Sequence, residues 1–220
     1  EGAAFRELPR LANAATEPGH LEATLTAAPA TTVFALGLAT PILGYNGGTP
    51  GPLIEATEGD HIRIHFANRL SEDSTIHWHG MPVPADQDGN PMDPVAAGAD
   101  RIYEFDLPEG SAGSYWYHPH PHGKTAEQVY RGLAGPFIVR AKSDPIPAAY
   151  GDTTLFFTDL RLSADGTIPE NGMADVMNGR VGDFVLVNGQ KNPVLTVPAG
   201  TRRRFRLFNA TSARFLKLDF

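Results

Sequence analysis

The feature that most constrains this chain is the shortness of its apolar runs. Glycine (23) and proline (19) recur through the 220 residues and leave only brief segments between them. These are LEATLTA, TTVFALGLA, DHIRIHFAN, RIYEFDL, GPFIVRA, TTLFFTDL, DFVLVNG and RRFRLFN. In DHIRIHFAN, Ile62, Ile64 and Phe66 alternate with His61, Arg63 and His65, the period of a half-buried strand. Many short strands with Gly/Pro turns predict an all-β sandwich or barrel. KTAEQVYRGLAG departs from this pattern. It sets Ala126, Val129, Tyr130 and Leu133 at helical spacing and closes on glycines, so one short helix is expected near 124–133.

An internal repeat organises these runs. NGGTPGPLIEATEGDHIRIHFANRL matches NGQKNPVLTVPAGTRRRFRLFNATS with a single-residue gap before the proline. Pro52 then meets Pro193, Gly59 meets Gly200, Ile64 meets Phe205, Phe66 meets Leu207 and Asn68 meets Asn209. Two copies of one β-domain are expected, the first over 1–145 and the second, with its linker, over 146–220; RAKSDPIPAAYGD marks the passage between them. In the same register His77 falls on Leu218 and His79 on Phe220. The second copy thus keeps the strand and lacks the imidazoles. Because the sequence ends inside that strand, we expect the chain to be one piece of a longer protein.

Five of the eight histidines fall in two runs: His77 and His79 in STIHWHGMPV, and His118, His120 and His122 in YWYHPHPHG. On a strand, residues i and i+2 share a face. His77 and His79 therefore project together with Trp78 on the opposite, packed side, and His118 and His120 form a second pair. Four imidazoles at one edge suit a borderline transition metal such as copper or zinc. The absence of cysteine removes disulfides, thiolate zinc sites and cysteine nucleophiles. A lone histidine is more often an ordinary hydrogen-bonded residue, and His20, His61 and His65 read that way. His122 stands between ligand, supporting residue and spare. Pro119 and Pro121 remove amide donors, which fits an edge or terminating strand.

TIHWHG together with WYHPHPHGKTAEQVYRGLAGPFIV resembles the first domain of the multicopper oxidases, in particular bacterial three-domain laccases and periplasmic cuprous-oxidase proteins. The resemblance runs from YNGGTPGPLIEATEGD to LVNGQKNPVLTVPAGTRRRFRLFNATSARFLKLDF. It implies a cupredoxin-like Greek-key β-sandwich followed by the start of a second such domain. It also implies a trinuclear copper cluster shared between the first and last domains of the family. His77 would ligate the mononuclear type 2 ion, and His79, His118 and His120 the type 3 pair. The middle domain of the family carries no ligands, in agreement with Leu218 and Phe220 in the repeat. The type 1 blue copper needs a thiolate, which belongs to the family's last domain together with the remaining cluster histidines. The implied activity couples one-electron oxidation of a small reducing substrate, phenolic or a metal ion, to four-electron reduction of dioxygen to water. The implied partner is the C-terminal remainder, in cis or as a docked fragment, without which the piece is inactive. Asp88 in ADQDGNP matches a family carboxylate that relays protons. An ordinary Asp-Gly turn is the competing reading, and Asp86 is a weaker candidate. A periplasmic or secreted location, with any signal already removed, follows from the same resemblance.

The net charge of −7 gives no reason to expect a nucleic-acid or anionic-membrane partner. The cluster Arg202-Arg203-Arg204 reads as a solvated strand face. No apolar run approaches the ~20 residues of a membrane span. Three other functions compete: a copper-free cupredoxin scaffold with a structural or interaction role, a zinc hydrolase, and a two-domain laccase that trimerises. Met81, Met92, Met173 and Met177 form no methionine-rich tract, and Met173 and Met177 read as packing residues. Asn209-Ala210-Thr211 reads as a turn.

Overall fold

The computed structural model describes residues 2–34 and 37–219. In chain order its first strands are β1 (His20–Thr32), β2 (Thr40–Tyr45), β3 (Ile54–Thr57), β4 (His61–Asn68), β5 (His77–His79), β6 (Asp100–Asp106) and β7 (Gly113–His118). Helix α1 (Thr125–Tyr130) and β8 (Gly135–Arg140) follow. A 3-10 turn (Ala148–Tyr150) leads to β9 (Asp152–Leu160), α2 (Met173–Asn178), β10 (Phe184–Val187), β11 (Gln190–Lys191) and β12 (Arg204–Asn209). They build three four-stranded sheets, ordered β2-β1-β4-β6, β3-β8-β7-β5 and β11-β10-β9-β12.

The first two sheets close on one core. The alternation of β4 sends Ile62, Ile64 and Phe66 inward, all with no exposure, beside Leu21, Ala23 and Leu25 of β1. The facing sheet contributes Ile54, Trp78, Tyr117 and Phe137. Trp78 sits edge-on to Tyr103 at 5.7 Å and to Phe137 at 6.0 Å between ring centroids. Such perpendicular aromatic packing adds to the large apolar area each ring removes from water. β5 is therefore anchored by its central residue, and its two histidines are left on the outer face.

The third sheet repeats the first. β1 runs parallel to β4, and β9 runs parallel to β12. Its inner face meets the sandwich through a cluster of Leu8, Leu53, Ala134 and Ile138 with Phe156, Phe208 and Ala210. The N-terminal segment straps the two together. Ala4 bridges Val194, Arg10 bridges Leu53, and Gln190 Nε2 donates to the Ala4 carbonyl at 2.9 Å.

Five sequence expectations change. The strand expected to carry Leu218 in the second copy does not form: after β12, residues 210–219 are neither helix nor strand. TTVFALGLA is not one strand: β1 ends at Thr32 and β2 starts at Thr40, with a turn at Gly37 (φ +68°) between them; Ala35 and Leu36 lie outside the described residues, as does Phe220. The helix is shorter than 124–133, and its buried face carries Gln128 and Tyr130 while Ala126 is exposed. The arginine cluster is not merely solvated. Arg204 pairs with Asp144 at 2.7 Å and Asp152 at 3.1 Å, and Arg206 pairs with Asp152 at 2.9 Å, because parallel pairing sets Asp152 opposite Arg204. Met173 and Met177 do not pack; they are 78% and 73% exposed on α2.

Candidate metal centre

Antiparallel pairing of β5 with β7 sets His77 opposite His118, Trp78 opposite Tyr117 and His79 opposite Trp116. Two residues beyond the end of β7, His120 returns to the same edge, where its amide donates to Thr75 Oγ1 at 2.8 Å. The ring centroids of His79, His118 and His120 lie 5.5, 5.2 and 5.1 Å from that of His77. Ring nitrogens of His77, His79 and His118 fall within 4.8 Å of one another, a spacing that one metal ion can bridge. His120 stands beside that trio rather than in it. His122 is exposed, without a partner among the described residues.

Backbone carbonyls fix which nitrogen each ring presents. His77 Nδ1 donates to the Asp88 carbonyl at 3.0 Å and His118 Nδ1 to the Pro119 carbonyl at 2.8 Å. Each ring therefore keeps its lone pair on Nε2. His118 Nε2 lies 3.1 Å from His79 Nδ1, so the two nitrogens converge on one point. Burial drives the His118 pKa down to about 4; the Pro119 carbonyl opposes this, and the neighbouring imidazoles reinforce it. Desolvation and the charges of His77 and His120 lower His79 as well. Both rings are neutral near pH 7, the form that binds a metal.

Asp88 is next to the cluster. Its Oδ1 is 3.1 Å from His77 Nδ1, yet that proton goes to the Asp88 carbonyl, and the buried Oδ1 accepts no hydrogen bond. The turn itself is required here. Gly89 has φ +62°, and a Cβ on it would lie 1.8 Å from the Ile76 carbonyl oxygen. The backbone of the 87–89 turn thus presses directly on β5, where the Gln87 carbonyl also accepts Trp78 Nε1 at 3.0 Å. Asp86 is directed elsewhere: its carbonyl accepts Arg101, and its carboxylate accepts Gln87 Nε2 at 3.3 Å.

Sequence reasoning missed the supports. Thr75, fully buried, holds His120. Gln128 of α1, also fully buried, accepts from Ser74 Oγ at 2.9 Å and donates to the Asp73 carbonyl at 2.9 Å, pinning the segment that enters β5. Only its place in the helix that directly follows the second histidine run hinted at this. His61 and His65 lie on the outer face of the first sheet, His61 against Asp106 and Glu104 and His65 against Asp100. The donor set at the β5–β7 edge is all imidazole with an unsatisfied carboxylate oxygen alongside, which fits a copper-type cation.

A sequence model described as multicopper oxidase matches residues 27–144. The chain is 36% identical over 208 residues to the multicopper oxidase mco of Staphylococcus aureus, covering 91% of this chain and 44% of that protein. It is also 36% identical over 191 residues to the cell division protein FtsP of Shigella dysenteriae, covering 84% of this chain and 40% of that one. The solved structure of a multicopper oxidase from Campylobacter jejuni, described as a metallo-oxidase, superposes with a TM-score of 0.89 at 44% identity, over 96% of this chain and 44% of that chain. The chain thus spans under half the length of these relatives, and its fold is the cupredoxin-like β-sandwich architecture of such oxidases. With the matched segment covering β2 to β8 and both histidine runs, the chain belongs to the multicopper oxidase family.

Proposed function

We propose that His77, His79, His118 and His120 are copper ligands and that this edge forms one side of a centre where dioxygen is reduced to water. The observation that carries this reading is the convergence of His77, His79 and His118 nitrogens within 4.8 Å, with two of the rings locked by carbonyls. Bound copper supplies reversible one-electron chemistry and open coordination positions for dioxygen. The chain's own residues do the rest. The Asp88 and Pro119 carbonyls aim Nε2 of His77 and His118, and Thr75 anchors the backbone at His120. By the family resemblance, His77 would hold a mononuclear ion and His79, His118 and His120 would hold paired ions. Asp88, with one oxygen buried beside His77 and its side chain 32% exposed, carries protons between solvent and the centre.

The electron-entry copper needs a thiolate that this sequence does not hold, so that site and the remaining histidines come from residues outside it. The reducing substrate, phenolic or a metal ion, binds there. Residues 1–145 act as the copper-bearing cupredoxin-like domain and 146–220 as linker and part of a second, ligand-free one, in a protein of the periplasm or cell exterior. A structural role is the second reading, favoured by a cell division protein among relatives of equal identity. Metal analysis and dioxygen uptake of the intact protein separate the two. Copper lost together with oxygen uptake in His79→Ala supports the oxidase. A protein carrying no copper, or one unchanged by His79→Ala, refutes it, and bound zinc in place of copper points to the hydrolase.

A further inference from the structure

We propose that Trp116 is a positioning residue that carries the packing of the third sheet to the histidine pair His79 and His118. The inference rests on the copper reading for its function but on packing for its geometry. Trp116 lies on β7 between Ser114 and His118 on one face, directly opposite His79. Its indole centroid is 4.3 Å from the His118 ring and 5.0 Å from the His79 ring, tilted 39° and 37° to them. One flat side chain therefore backs two imidazoles from two strands. The indole also packs against the apolar cluster that joins the sandwich to the third sheet, to which Phe156 and Phe208 belong. Trp116 makes no side-chain hydrogen bond among the described residues, so packing alone holds it. β12 touches β7 at this place, where Arg206 reaches Ser114 Oγ at 2.9 Å. The third sheet thus bears on the candidate ligands without supplying one. Interiors packed at crystal-like density transmit such displacements, and partners that orient metal-binding imidazoles typically matter by about 10–100-fold in affinity.

The test uses the intact protein with two readouts. Copper(II) affinity is measured by chelator competition, and proximity of the Trp116, His79 and His118 rings is measured by NMR in metal-free protein. Trp116→Phe, which keeps a flat ring, should hold affinity within about threefold, whereas Trp116→Met should weaken it about tenfold or more and abolish the His79–His118 ring contact. Phe208→Leu, remote from the histidines, should weaken copper about threefold alone and add nothing to Trp116→Met, the non-additivity of coupled neighbours. Unchanged affinity and ring contact in Trp116→Met, or an equal effect of Phe208→Leu with and without it, overturns the proposal. Should Trp116→Met not fold, Phe208→Leu decides alone, and an undisturbed His79–His118 contact overturns the proposal. Should wild-type protein bind no copper, the copper reading fails, while the metal-free ring contacts still decide the role of Trp116.

Discussion

In the first copy of the repeat, the turn residue Asn46 (φ +50°) exchanges three hydrogen bonds with the long strand: its N–H to Thr26 O, its Oδ1 from Thr26 N–H, and its Nδ2 to Thr24 O. In the second, Asn188 (φ +51°) makes the same three with Phe156 and Thr154. The agreement continues at the end of the motif, where Asn68 Oδ1 accepts Leu70 N–H and Asn209 Oδ1 accepts Thr211 N–H. Left-handed Asn-Gly turns and Asx turns are local chemistry, and both copies retain them. The copies part at β5: imidazoles project from His77 and His79, while their counterparts are Leu218 and, outside the described residues, Phe220. These shared turns are independent of the candidate metal chemistry, which sits on the β5–β7 pair; among the described residues the second copy forms no such pair.

The largest effect is expected at the 87–89 turn, whose backbone presses against β5. Gly89→Val should cost about 4 kcal/mol in denaturant unfolding and disorder His77, because it adds strain to a clash with fixed backbone. Acid comes next. The unfolded His118 titrates near its ordinary value of about 6.5 and the folded one at about 4, so the unfolded chain binds more protons between those limits. Stability of metal-free protein therefore falls as pH drops from about 6.5 to 4, by on the order of 3 kcal/mol. The third sheet should hold longer. Burial alone would raise the Asp152 carboxyl, but hydrogen bonds from Arg206 and Arg140 outweigh it and lower its pKa. The contribution of Asp152 is present above its unfolded value of about 3.9 and is lost only below it. Residue-resolved NMR through an acid titration should show the sandwich yielding first.

The matched asparagines allow a finer test. Asn188 is buried and Asn46 exposed, so the same lost bonds weigh differently. Asn188→Ala should cost about 2 kcal/mol and Asn46→Ala about 1 in thermal or urea unfolding. The smallest effect belongs to α2. Met177→Ala, at a side chain 73% exposed, should change stability by no more than about 0.5 kcal/mol.

What the sequence made legible was whatever follows a period. The alternation Ile62, Ile64, Phe66 gave β4, and the i, i+2 step gave the outward histidines around an inward Trp78. Repeat register paired β4 with β12. What stayed hidden has no period to read. The Asp88 and Pro119 carbonyls are backbone atoms that any residue supplies. Gln128 broke the apolar stripe because a buried amide had to hold the loop before β5. The strap from residue 2 to 11 is extended chain whose partners lie at Leu53 and Val194. The role of Asp152 among arginines arose only once parallel pairing set it beside Arg204.

Anomalous diffraction at the copper edge, from crystals of the intact protein loaded with copper, tests the central claim most directly. The account predicts copper peaks bonded to Nε2 of His77, to Nε2 of His118 and to nitrogens of His79 and His120. Peaks confined to His20, His61 or other surface groups, with the β5–β7 edge empty, would contradict it.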